Sequence, residues 1–245
     1  MCKKIIKMND PYGQGLLAYW RGNDQATFTV ACNITEPDEW PVSLFFRTFE
    51  EMPELEQKAL LNASGSVLDV GAGAGSHILW LQQQGLKATA IDISFGAVEV
   101  MKQRQCTDVQ QADYFQFTGQ KFDTLLFLMN GIGIAGTLER LPLFFQKAKE
   151  LLNPGGKILL DSSDILYMFT EDDGSIMFNL NGPYYGELTY SFDFEAQKGE
   201  PFDWLFVDFD TLKRQAQKAG FTCKKIAEDD HFLYLAELTL LKGKS

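Results

Sequence analysis

Val67-Leu68-Asp69-Val70 runs directly into Gly71-Ala72-Gly73-Ala74-Gly75, and Ser76 then opens a segment to Gln84 with Ile78, Leu79 and Leu81 apolar and glutamines on the other side. A short apolar run that stops at alternating glycines turns tightly and lets a neighbour approach its backbone, which residues without a side chain permit. The local expectation is strand, glycine turn, helix, with Gly85 closing the helix. The unit repeats. Lys87 to Ile91 reads as the next strand, and Ser94 as the N-cap of a helix to Arg104. Val109-Gln110 is a weak third strand, Phe122 to Met129 a strong fourth and Lys157 to Asp161 a fifth. A helix from Leu138 to Leu152 precedes the last of these, stopped sharply by Asn153-Pro154-Gly155-Gly156. Short apolar runs alternating with amphipathic segments from about 64 to 161 specify a parallel sheet flanked by helices.

Outside this region the pattern changes. Residues 1–62 carry Trp20, Trp40, Phe45, Phe46 and Phe49, too apolar for a disordered tail, and are expected to form a helical, aromatic cap over the open end of the sheet. Residues 63–245 form the main domain, with an insertion at about 164–207. In that insertion, Tyr184 to Phe194 alternates like a strand, and Gln197 to Pro201 turns into a further strand over Phe202 to Val207. Thr211 to Lys218 returns to helical spacing. Phe221 to Ala227 and Phe232 to Leu241 read as a closing antiparallel pair.

Asp92 stands 23 positions after Asp69, at the end of the second strand, where a ribose hydroxyl would need an acceptor. Two cofactor classes use this geometry. A dinucleotide fingerprint wants G-x-G-x-x-G, and counting from Gly71 its last position is Ser76. The Asp69 carboxylate would also repel a pyrophosphate and attract the ammonium of a methionine moiety. Residues Val67 to Gly75 resemble motif I of the class I S-adenosylmethionine-dependent methyltransferases. Further matches follow in order: Ala90-Ile91-Asp92-Ile93-Ser94, Gln111-Ala112-Asp113-Tyr114, and Leu151 to Leu159 around Pro154-Gly155-Gly156. The resemblance runs from about Ser64 to Lys242 and is looser in the insertion.

This resemblance implies an α/β fold, a Rossmann-like seven-stranded, mostly parallel sheet with helices on both faces, an antiparallel last strand and a small β-rich insertion after the fifth strand. It implies S-adenosyl-L-methionine as cofactor. Carried over by position, Asp69, Gly71, Ala72 and Gly73 would surround the methionine part and Asp92 would accept the ribose hydroxyls. Ile93 would cover one adenine face, Asp113 and Tyr114 would lie by the adenine amino group, and Met129 and Asn130 would lie near the sulfonium. Asn130-Gly131-Ile132-Gly133 departs from the D/N-P-P-Y/F motif of enzymes that methylate planar nitrogens.

Methyl transfer relies chiefly on alignment, and a general base is needed mainly for a hydroxyl or a protonated amine. Asp161 and Asp164, at the end of the fifth strand, are the candidate bases. Tyr12, Trp20, Tyr184 and Tyr185 are the candidate acceptor-binding residues, since aromatic faces beside carboxylates suit an amine or an aromatic small molecule. The formal charge of −11 argues against a broad grip on nucleic acid, although Lys3-Lys4 and Lys224-Lys225 are basic pairs. Cys2, Cys32, Cys106 and Cys223 have no metal-ligand spacing, and neither histidine has a partner at such spacing, so no metal is expected. Nothing reads as a membrane span or signal peptide, which makes a cytoplasmic location the expectation. The expected partners are a small-molecule acceptor and, in a homodimer, another copy of the chain. An NAD(P)-dependent oxidoreductase and a non-catalytic S-adenosylmethionine-binding module are the competing readings.

Overall fold

The alternating region folds as its pattern dictates. The computed structural model describes residues 9–170, 173, 175 and 182–241. Cys2, Lys3, Lys4 and Lys242 lie outside them, as do residues 171, 172, 174 and 176–181 of the expected insertion. In chain order the elements are α1 (Pro11–Trp20), β1 (Thr27–Cys32), β2 (Thr35–Pro41), α2 (Glu54–Asn62), β3 (Ser66–Val70), α3 (Ser76–Gln83), β4 (Lys87–Asp92), α4 (Phe95–Gln103) and β5 (Val109–Gln111). They continue as β6 (Phe122–Phe127), α5 (Leu141–Leu151), β7 (Leu152–Ser163), β8 (Glu187–Phe194), β9 (Phe202–Leu205), α6 (Phe209–Lys218), β10 (Phe221–Glu228) and β11 (Leu233–Leu240).

Seven strands form the main sheet in the order β10-β11-β7-β6-β3-β4-β5. β3 pairs in parallel with both β4 and β6, so the strand order reverses at β3 and opens a crevice at its carboxyl end. β11 alone runs against the others, antiparallel to β7 and β10. Both faces are covered, and strand residues sort by parity. Leu68 and Val70 join the core beneath α5 and α6, with Phe127, Phe144 and Phe145. Val67, Ala88, Ala90 and Leu159 join the opposite core, beneath α2, α3 and α4. By the same alternation Asp69, Asp92 and Asp161 belong to this opposite face.

The expected helix from Leu138 is broken: Leu138–Arg140 is a 3-10 turn and α5 starts at Leu141. Pro142 is the reason, because proline fits the first helical turn but not the interior. Likewise Asn153 to Gly156 does not separate helix from strand. β7 already begins at Leu152, and its register against β6 shifts between Phe122 and Thr124, which absorbs the extra residues as an irregularity.

The largest difference from expectation lies before Asn62. α1 and α2 are helical, but β1 and β2 form a hairpin that pairs with the insertion in a separate antiparallel sheet, β2-β1-β8-β9. A third core of Leu16, Phe28, Val30, Val42 and Phe194 fills the space between this sheet and α4. α1 is seated by Asp10. One oxygen of Asp10 accepts from Gly13 N at 2.9 Å as the N-cap of α1, and the other accepts from Ser94 Oγ at 2.9 Å and Gly96 N at 3.0 Å at the start of α4. Gly96 permits this seat, since a Cβ there would overlap the Gly13 backbone.

Candidate active site

Three strands deliver three carboxylates to one crevice. Asp69 ends β3, Asp92 ends β4, and Asp161 lies near the end of β7, each at most 7% exposed. Burial is the largest influence on each and pushes it up, Asp69 and Asp92 to about 6 and Asp161 to about 7.

Asp92 shapes the glycine turn. Its Oδ2 accepts from Gly73 N at 2.9 Å and its Oδ1 from Ser94 N at 2.8 Å, while Gly71 N and Ala72 N donate to Ile91 O at 2.9 and 3.2 Å. Each Asp92 oxygen thus keeps acceptor capacity for a hydroxyl. Gly73 has φ +56°, and a Cβ there would lie 2.8 Å from the Tyr12 hydroxyl, so a glycine is required. The Tyr12 ring stacks on Phe28 with centroids 5.5 Å apart. Burial, then the charges of Asp92 and Asp10, hold its hydroxyl well above the ordinary range.

Asp69 differs from Asp92: its Oδ2 is buried without a hydrogen-bond partner. The charge of His77 and the Ile78 backbone N–H counter the effect of burial. His77 Nε2 lies 2.9 Å from Glu56 Oε2, and Arg47 Nη2 donates to Glu56 Oε1 at 2.8 Å. His77 is therefore part of a buried network in which Glu56 and Arg47 were not legible as site residues. Nothing in the linear sequence marks either residue; the packing of α2 and the turn before it brings them to His77.

Asp161 has both oxygens engaged. Oδ1 accepts from Asn130 N at 2.7 Å and Oδ2 from Met129 N at 3.1 Å. Met129 and Asn130 are consecutive left-handed residues, φ +59° and +57°, a conformation that costs energy in residues with a Cβ and is held here from several sides. Asn130 Nδ2 donates to Leu205 O at 3.1 Å, and Ser162 Oγ donates to Asn130 Oδ1 at 2.8 Å. Each Asp161 oxygen accepts one backbone N–H and so anchors the Met129–Asn130 corner, while keeping, like Asp92, capacity for a further hydrogen bond. Met129 remains 38% exposed at the mouth of the crevice.

Ile93 is 64% exposed beyond Asp92. Asp113 follows β5 on the same rim and caps its own turn, accepting from Phe115 N at 2.8 Å. Tyr114 is not beside it. The Tyr114 side chain is fully buried among Phe115, Phe127 and Phe144, and its hydroxyl donates to Phe144 O at 2.9 Å. The expectation that it lies by an adenine is corrected to a core role, fixed by that satisfied hydroxyl.

On the other side of the crevice Tyr185 OH donates to Asp164 Oδ1 at 2.8 Å and Tyr184 OH to Asp208 Oδ2 at 2.6 Å, with the two rings 4.4 Å apart. Asp164, Asp208, Phe209, Lys225 and Phe232 line a cleft of about 160 Å³ here. Trp20 is elsewhere. It stacks on Phe46, which lies under Arg104 at the far end of α4, so it is not brought together with Tyr12. Ten residues of helix separate the two ends of α1, and only the first reaches the glycine turn.

A parallel sheet reversing at β3, a glycine turn held by a carboxylate and another buried carboxylate with an unpartnered oxygen define a Rossmann-like cofactor-binding enzyme. A family model described as "Methyltransferase domain" matches residues 46–226. The solved S-adenosylmethionine-dependent methyltransferase from Bacteroides fragilis in complex with S-adenosyl-L-homocysteine is 44% identical, over 96% of each chain, with a TM-score of 0.90. The CcbJ methyltransferase from Streptomyces caelestis shares the fold at 13% identity, covering 96% of this chain and 99% of that one, TM-score 0.65. The sugar N-methyltransferase KedS8 from Streptoalloteichus does so at 17% identity, covering 81% and 88%, TM-score 0.53. No curated protein matches. The chain belongs to the methyltransferase-domain family and is an S-adenosylmethionine-dependent methyltransferase.

The residues present fit that cofactor. The unpartnered Asp69 oxygen suits an ammonium, and the spare acceptor capacity of Asp92 suits a ribose diol. A pyrophosphate would meet the Asp69 carboxylate instead.

Proposed function

We infer that the protein methylates a small molecule carrying an amine or an aromatic ring, held between α1 and the insertion. The observation that carries this reading is the pair of tyrosine–carboxylate hydrogen bonds, Tyr185–Asp164 and Tyr184–Asp208, beside the Met129–Asn130 corner. The cleft at this end is lined by Asp164, Asp208, Phe209 and Phe232, and carboxylates beside aromatic faces suit a cationic or ring-bearing ligand. S-adenosylmethionine supplies an activated methyl group when bound.

In this reading Asp69 and the backbone of Gly71, Ala72 and Gly73 hold the methionine part, Asp92 the ribose, and Ile93 and Asp113 the adenine. Residues 1–62, through α1 and the β1–β2 hairpin, act as the cap, and Tyr12 closes over Gly73. Met129 and Asn130 sit nearest the transferring methyl, positioned by Asp161. Rate then comes largely from alignment in a water-poor crevice. Where the acceptor carries a proton, Asp164 takes it, since its Oδ1 is organised by Tyr185 and Leu166 N at 3.0 Å.

Among the described residues no helix is long and apolar enough to cross a membrane, and Cys32, Cys106 and Cys223 are free thiols. A reducing, cytoplasmic setting is consistent with those thiols. A homodimer is part of the same proposal, to be checked by light scattering. The test of function is S-adenosylhomocysteine release with a panel of amines, phenols and carboxylic acids. Turnover on amines or phenols supports the reading; methylation of macromolecules alone overturns it.

A further inference from the structure

The first turn of α1 belongs to the N-terminal segment, yet it is tied to the donor end of the crevice by an unbroken series of hydrogen bonds. Asp10 Oδ2 accepts from Ser94 Oγ at 2.9 Å and from Gly96 N at 3.0 Å. Ser94 Oγ in turn accepts from Ala97 N at 3.0 Å, which fixes the hydroxyl from both sides. Ser94 N donates to Asp92 Oδ1 at 2.8 Å, and Asp92 Oδ2 accepts from Gly73 N at 2.9 Å. Ser94 and Asp92 are each only 7% exposed, so water does not readily replace a lost partner. The series runs from α1 to the glycine turn.

We propose that Asp10 is a positioning residue for donor binding: by bonding Ser94 and Gly96 it holds the turn after β4, and through Ser94 N the Asp92 carboxylate, in the arrangement that receives the ribose. This rests on the reading that Asp92 is the ribose acceptor. α1 is then a part of the donor site as well as a cap.

A plain helix-capping role is separable, because the two tasks fall on different oxygens. Oδ1 caps α1 by accepting from Gly13 N at 2.9 Å, a task a serine also performs. Only Oδ2 crosses to α4. The close approach that allows the crossing comes from Gly96, where a Cβ would overlap the Gly13 backbone. Charge acts in the opposite direction. Asp92 is raised first by burial and then by the charges of Asp10 and Asp69, so removing the Asp10 charge by itself would favour the ionised Asp92. A loss of affinity therefore reports the missing hydrogen bonds.

The test is calorimetric binding of S-adenosylhomocysteine to the full chain at pH 8, above the value of about 6 at which Asp92 titrates. Asp10→Ser keeps a cap for α1 but is one bond too short to reach α4, and its affinity is expected to be about tenfold weaker than that of wild type. On the Asp92→Ala background, itself about a hundredfold weaker, Asp10→Ser then causes no further loss. Helix capping alone would not produce that non-additivity.

Wild-type affinity in Asp10→Ser overturns the proposal. So does a tenfold loss that persists on the Asp92→Ala background, since Asp10 would then act without Asp92. If Asp92→Ala binds as tightly as wild type, the assignment of Asp92 itself fails, a result read without any Asp10 variant. Should Asp10→Ser not fold, Gly96→Ala serves instead: its Cβ presses on the Gly13 backbone and lifts α1 from α4 with both carboxylates in place. The same loss, again absent on the Asp92→Ala background, is expected, and wild-type affinity overturns the proposal.

Discussion

At the donor end of the crevice Asp69, Asp92 and Asp161 are buried and pushed toward the neutral form, and one oxygen of Asp69 has no partner. At the proposed acceptor end Asp164 and Asp208 are half-buried and each already accepts a tyrosine hydroxyl. Asp208 shows the opposite tendency. Burial would raise it, but hydrogen bonds from Thr211 and Tyr184 hold it below the ordinary range. The donor end offers a positive group an unpartnered carboxylate oxygen. The acceptor end satisfies itself, so its ligand must displace or share existing hydrogen bonds. A site with unmet valence favours one fixed cofactor, while a self-satisfied one tolerates exchange of ligands.

The comparison is broken most severely at Asp92. Asp92→Ala removes the acceptor for two buried backbone N–H groups as well as for the ribose, and the expected loss of S-adenosylhomocysteine affinity is about a hundredfold (~3 kcal/mol), read by calorimetry. Asp161→Asn comes next. It offers one carbonyl oxygen to two N–H donors and lets the left-handed Met129–Asn130 corner relax. A kcat about tenfold lower is expected, with ~2 kcal/mol of stability lost in denaturant unfolding and donor affinity altered by less than about threefold.

The pH response should also divide the two ends. Raised carboxylates bind protons in the folded state that they release on unfolding. The donor end therefore loses stability as pH rises from about 4, the unfolded value, through the folded values near 6 and 7. Asp208 works in the opposite sense, stabilising above the unfolded value and losing that as pH falls, with a smaller effect because it is partly solvated. The melting temperature of the ligand-free protein should fall by about 5 °C between about pH 5.5 and 8, and a rise would reverse the ranking of the two ends. The smallest effect belongs to Tyr185→Phe. It removes one of the two hydrogen bonds to Asp164 Oδ1 without touching the donor, so acceptor KM should change by about threefold while S-adenosylhomocysteine affinity stays within about 1.5-fold.

The donor end was legible because strand-terminal acids and a glycine turn are local: Asp69, Gly73 and Asp92 are fixed by short-range sequence and strand parity. Tyr114 misled because adjacent residues point oppositely, and its neighbour Asp113 reaches the rim while Tyr114 faces α5. Trp20 misled because aromatic content says nothing about which end of α1 lies by the crevice. Glu56 and Arg47 were silent since only the docking of α2 brings them to His77. In the β1–β2 hairpin Thr27-Phe28-Thr29-Val30 of β1 alternates readably, but Glu36-Pro37-Asp38-Glu39 of β2 has the composition of a loop. β2 is exposed along nearly its whole length, and the proline and acids protect it as a sheet edge.

The pairing of Phe28 with Phe194 joins residues that emerge from the ribosome far apart, with β3 to β7 of the main sheet synthesised between them. Non-local pairing of this kind forms late, after loop-closure entropy has been overcome. Residues 66–163 can thus pair while β1 and β2 wait for β8. Elements that join last are among the first to open in the native state. Amide hydrogen exchange should therefore proceed faster in β1 and β8 than in β3 and β6, giving the bound donor an exit route that leaves its carboxylates in place.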